Sequence, residues 1–85
     1  MKYSEGQLVL QNQVLVALAE VGPMTVKAIA GQVGKKDTPW LRTNIQFLMR
    51  DQLVEPVRTF TYRNILVTEY GLTDEGWETA GKLMA

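Results

Sequence analysis

The chain has no cysteine and no histidine, and its nine basic residues are matched by nine acidic ones. Without cysteine there is neither a disulfide framework nor a thiolate metal site. Without histidine the usual zinc sites, a Ser-His-Asp triad and a Cys-His dyad are excluded as well. No apolar run approaches the ~18 residues that a membrane-spanning helix needs. The segment Met1–Gln13 lacks the basic-then-apolar build of a signal peptide. No carboxylate pair or nucleophile-base set stands out, and Gly71-Leu72-Thr73-Asp74-Glu75-Gly76 lacks the lysine and spacing of a P-loop. These absences predict a binding protein rather than an enzyme: intracellular, cytoplasmic, and without cofactor, metal or membrane partner.

What is there is one modest core and an uneven distribution of charge. Eighty-five residues, 46% of them hydrophobic, predict a single domain over residues 1–85. Zero net charge argues against a nucleic-acid partner, but position carries more than the sum. Between Thr25 and Arg63 seven bases (Lys27, Lys35, Lys36, Arg42, Arg50, Arg58, Arg63) stand against three acids. The last twenty-two residues hold four acids against Lys82, and Met1–Met24 holds two against Lys2. A basic middle between acidic ends suits a protein with one anion-facing side.

Periodicity and punctuation divide the chain into elements. A first helix is predicted from Glu5 to Glu20 with Ser4 as its cap, burying Leu8, Val14, Leu15, Leu18 and Val21. Gln11 interrupts that stripe, and Gly22-Pro23 ends the helix. Met24 then serves as a short extended link. Thr25 caps a short helix whose inward face is Val26, Ile29, Ala30 and Val33, with small Ala28 and Gly31 admitting a close neighbour. Gly34-Lys35-Lys36-Asp37 reads as a turn. Thr38 caps, and Pro39 opens, a third helix running to about Leu53. Taking Ile45 as the centre of its buried face gathers Leu41, Leu48, Met49 and Gln52, and turns Trp40, Thr43, Gln46, Phe47 and Arg50 outward.

Val54–Thr59 and Ile65–Thr68 read as an antiparallel pair around a tip, Phe60–Asn64, in which Asn64 takes a left-handed turn conformation. Pro56 cannot donate a ladder bond, so its nitrogen should face away from the partner strand. Thr73 caps a last helix, Asp74 to about Met84, with Trp77, Ala80 and Leu83 or Met84 on its core face. Helix, turn, helix, hairpin is the plan of a winged helix-turn-helix. The expected class is therefore α+β: a three-helix core, a two-stranded hairpin wing and a C-terminal helix.

Two segments carry a family likeness. Leu48-Met49-Arg50-Asp51-Gln52-Leu53-Val54 followed by a basic hairpin, and then Tyr70-Gly71-Leu72-Thr73-Asp74-Glu75-Gly76, resemble the winged-helix cores of bacterial MarR- and PadR-type repressors. The likeness spans about Leu8 to Leu83. It departs at Gln52, where those families usually place glycine, and these 85 residues hold no counterpart of their long dimerisation helices. The resemblance implies a transcriptional regulator that binds double-stranded DNA, with the third helix in the major groove and the wing tip over a neighbouring minor groove or the backbone.

On that reading Thr43, Gln46 and Arg50 meet base edges, with Arg42 and Asn44 on the flanks, since glutamine pairs with adenine and arginine with guanine. Lys35, Lys36 and the helix N-terminus at Thr38 suit phosphate, and Trp40 lies beside them. Arg58 and Arg63 flank the wing tip. The same residues would also serve as an ordinary solvated face. A second reading starts from Trp40 and Phe47, which share the outward side. Exposed together, they would mark a docking face for a homodimer or a protein partner.

Overall fold

The computed structural model describes residues 2–85. In chain order it comprises α1 (Glu5–Val21), β1 (Met24–Thr25), α2 (Val26–Val33), α3 (Pro39–Arg50), β2 (Val54–Tyr62), β3 (Ile65–Leu72) and α4 (Asp74–Met84). Among the described residues no helix is long and apolar enough to cross a membrane. Apart from β1, the element order is the expected one. Each helix starts where its cap predicts: the side chains of Ser4, Thr25, Thr38 and Thr73 accept from Gln7, Ala28, Leu41 and Gly76 N–H groups respectively. Ser4 and Gln7 complete a reciprocal capping box. Gly34 ends α2 in the left-handed region, with φ 72°.

The sheet departs from expectation. Met24 is no mere link: it is buried and pairs with Tyr70, while Thr25 pairs with Glu69, so a third strand covers the near end of β3. The strand order is β1-β3-β2. β2 is thus an edge strand, the place where Pro56 is tolerated, and a bulge between Pro56 and Arg58 absorbs Val57. The strands also run further than predicted, β2 to Tyr62 and β3 to Leu72, and they pair up to the turn at Tyr62 and Ile65. The turn is only Arg63-Asn64, with φ of 51° and 64°, as a type I′ hairpin turn requires. Phe60, Thr61 and Tyr62, expected in the tip, belong to the strand.

One core joins the helices to the base of the sheet: Leu10, Val14, Leu15 and Leu18 from α1, Ile29 and Ala30 from α2, Leu41, Ile45 and Leu48 from α3, with Val54, Leu72 and Ala80. Several assignments to it need correction. Val21, Trp77, Leu83 and Met84 are exposed, and Leu8 is only half-buried, whereas Leu10 and Ala17 are buried. Ala28 and Gly31 face solvent rather than a neighbouring helix. An apolar residue on a helix has no obligation to be inside, because any folded surface is largely apolar.

α3 stops at Arg50 rather than Leu53. Gln52 N–H donates to the Met49 carbonyl and Leu53 N–H to the Leu48 carbonyl, the paired bonds of a Schellman end. Gln52 is exposed and takes φ 63°, the left-handed conformation that glycine adopts without penalty. This accounts for the place glycine holds in the related pattern. Gln52→Gly should raise stability by roughly 1 kcal/mol through relief of that backbone cost. Urea unfolding followed by tryptophan fluorescence checks it, and an unchanged midpoint would refute the strain.

Candidate nucleic-acid interface

α2, the Gly34–Asp37 turn and α3 form the helix-turn-helix, and Pro39 occupies the first turn of α3, where its missing N–H costs nothing. Thr43, Gln46 and Arg50 stand at helical spacing on one line of α3, with Gln46 and Arg50 exposed and Thr43 half-buried. Opposite lie Leu41, Ile45 and Leu48, all within the core. The α3 residues expected to face DNA are at least partly exposed, with one exception; elsewhere Gln52, expected on the buried face, is exposed beyond the helix end, and Phe47, expected outward, is half-buried.

Asn44 is the exception. Expected beside the bases, it is 0% exposed. Its Oδ1 accepts from Gln11 Nε2 at 2.9 Å, and its Nδ2 donates to the Trp40 carbonyl at 2.9 Å. Gln11, which looked like a fault in the stripe of α1, is buried with it. A buried amide needs partners, and each of these amides supplies one for the other across 33 positions of sequence. Asn44 thus ties α3 to α1 and is removed from the set of DNA-facing residues.

The cations fall into two groups. Arg42 makes a two-pronged ion pair with Asp37, both contacts at 2.8 Å, and that pairing holds the Asp37 carboxyl below its ordinary range. Arg58 is similarly tied to Glu69 across the strands at 3.0 Å. Lys35, Lys36, Arg50 and Arg63 have no such carboxylate in the structure's ion pairs among the described residues. Lys35 and Lys36 border an open cleft between α1 and α3, together with Thr38 and Trp40. The structure brings these four of the expected residues together.

The aromatic pair divides. Trp40 is 53% exposed beside that cleft. Phe47 is half-buried: the Tyr3 ring packs on it with centroids 5.1 Å apart, and the Arg50 guanidinium lies 4.7 Å from its centre. Tyr3 also donates to Asp51 Oδ2 at 2.7 Å, and Lys2 reaches Asp51 Oδ1 at 2.6 Å. Those two bonds hold the Asp51 carboxyl below its usual range, the Lys2 contact being the larger cause. Lys2 and Tyr3 therefore strap the end of α3, and Tyr3 and Arg50 share the Phe47 ring as a packing partner. None of this was legible beforehand, since nothing in the residues around Tyr3 or Asp51 indicates a partner 48 positions away.

The fold has relatives among solved structures. A cysteine-to-serine mutant of ZitR from Lactococcus lactis matches with a TM-score of 0.72 at 18% identity, over 99% of this chain and 55% of that one. A double mutant of ZitR in apo form gives 0.72 at 20%, over 94% and 58%. A MepR mutant from a multidrug-resistant S. aureus clinical isolate gives 0.66 at 16%, over 91% and 55%. ZitR and MepR are winged-helix regulators of the MarR type. This chain has the same winged-helix fold. It spans little more than half the length of those structures, and no protein-family model or curated protein matches its sequence.

Proposed function

We propose that the chain is the DNA-binding domain of a transcriptional regulator, acting in the cytoplasm by binding and not by catalysis. The observation that carries this is the line Thr43, Gln46 and Arg50 on the outward side of α3, the second helix of a helix-turn-helix, next to Lys35 and Lys36, which have no carboxylate partner among the described residues. Such a helix fits the major groove, where arginine discriminates guanine and glutamine adenine. Lys35, Lys36 and the N–H groups opening α3 would hold phosphates and set the register. Arg63 at the wing tip suits a narrow minor groove. Arg42 and Arg58 would join only after exchanging their carboxylates for phosphate. A homodimer would set two such helices about one helical turn of DNA apart.

Fluorescence anisotropy of labelled duplexes at rising salt tests the proposal. Affinity should fall steeply with salt, and Lys35→Ala should weaken all sequences alike while lowering the salt slope by about one. Arg50→Ala should instead erase preference at one base pair, a loss of ~1–3 kcal/mol of discrimination. Absence of binding at ~50 mM salt, where phosphate contacts are still strong, would refute the reading.

A further inference from the structure

The wing tip carries apolar side chains that the fold does not use. Among the described residues the three most exposed large hydrophobics are Leu66 (74%), Ile65 (64%) and Tyr62 (58%). Tyr62 and Ile65 adjoin the Arg63-Asn64 turn, and Leu66 is the next residue of β3. Tyr62 and Ile65 are cross-strand partners on one face, and Leu66, paired with Thr61, lies on the other. The tip is therefore apolar on both sides. From Thr59 to Thr68 the single charged residue is Arg63, whose guanidinium sits 5.3 Å from the Tyr62 ring centre.

We propose that this tip is a wedge for duplex DNA. Arg63 enters the minor groove, and Ile65 or Leu66 inserts between adjacent base pairs and kinks the helix. The idea rests on the DNA-binding reading above and adds what the wing does there. Its physical basis is the combination at one point: a lone cation, no acid, and bare aliphatic groups on a turn of two residues. A groove-tracking loop would need only the cation. Aliphatic groups exposed at a strand end are a liability for aggregation unless a partner covers them. Apolar wedges do so by unstacking a base step, and the bent duplex then wraps more of the protein. Two other occupants fit less well. A symmetric contact between two copies at this tip would bring two Arg63 charges together. A membrane surface is held by clusters of basic residues, and the tip has one.

The test uses a duplex of about 30 base pairs with a donor and acceptor dye at its ends and 2-aminopurine at a central TA step, which is easily unstacked. Wild type is compared with the double variant Ile65→Thr/Leu66→Thr, which places a strand-favouring β-branched residue at both positions. Anisotropy reports binding separately from shape. Wild type should brighten the 2-aminopurine and bend the duplex by an angle in the range ~20–90°. The double variant, folded by circular dichroism, should lose at least half of both signals, whether it still binds or binds too weakly to bend. Wild-type binding with neither signal would overturn the wedge alone, as would equal bending by the variant. Absence of wild-type binding in anisotropy would overturn the DNA reading and the wedge together. Wild-type sedimentation with phosphatidylglycerol vesicles in place of duplex binding would do the same.

Discussion

Gly76→Ala is expected to destabilise the protein by about 3 kcal/mol, although alanine is the better helix former. Gly76 lies in the first turn of α4, buried against the chain that leaves α3. A Cβ at this position would overlap the Leu53 carbonyl oxygen and come within 3.0 Å of its carbon. The Leu53 carbonyl cannot yield, because it accepts from Thr73 N–H at 3.1 Å. Thr73 is itself fixed: its hydroxyl donates to the Gln52 carbonyl at 2.6 Å and accepts from Gly76 N–H at 3.0 Å. The end of α3 and the start of α4 are thus one hydrogen-bonded joint with room for a hydrogen atom and nothing larger. The control is in the same helix. Gly81 meets nothing within 4 Å, so Gly81→Ala should stabilise by roughly 0.5–1 kcal/mol. Urea unfolding of both variants decides the matter. Two changes of the same sign would show that helix propensity, not the joint, governs α4.

Asn44→Ala should cost about 2–4 kcal/mol, by a different route. The substitution strands the Gln11 amide in the core without its acceptor and opens a small void beside α1. Replacing both partners by apolar residues, Gln11→Met with Asn44→Leu, should recover most of the loss, since no polar group is then left unsatisfied. A double-mutant cycle should therefore return a coupling of ~1–3 kcal/mol. Additive losses would mean that the two amides act independently. The pair also bears on recognition, because it fixes α3 against α1 at the turn that carries Trp40 and Thr43.

Much of this architecture is legible in the residues, and the reasons are local. Ser4, Thr25, Thr38 and Thr73 each satisfy N–H groups within three positions, so the helix starts can be read directly. The outward line on α3 follows from helical spacing alone. The Schellman end at Gln52 is local too, and was missed because glutamine does not advertise a left-handed conformation. The errors in the core ran both ways: Val21, Trp77 and Met84 satisfy the periodicity but stay exposed, whereas Leu10, Ala17 and the Gln11–Asn44 pair are buried.

The candidate interface divides along the same boundary. Sequence by itself determined the order of the helices and the hairpin, the caps, the basic middle and which side of α3 faces out, because each depends on residues within a turn or two of one another. Only the tertiary structure decided that Asn44 is a tie and not a reader, that Arg42 and Arg58 are held by carboxylates, and that Tyr3 covers Phe47. Tertiary structure also revealed why Gly76 tolerates no side chain and that the wing ends in bare aliphatic groups. Burial of a polar group, overlap with a carbonyl and exposure of a strand end are properties of the space between distant segments. A linear pattern records which groups are present, but not which of them meet.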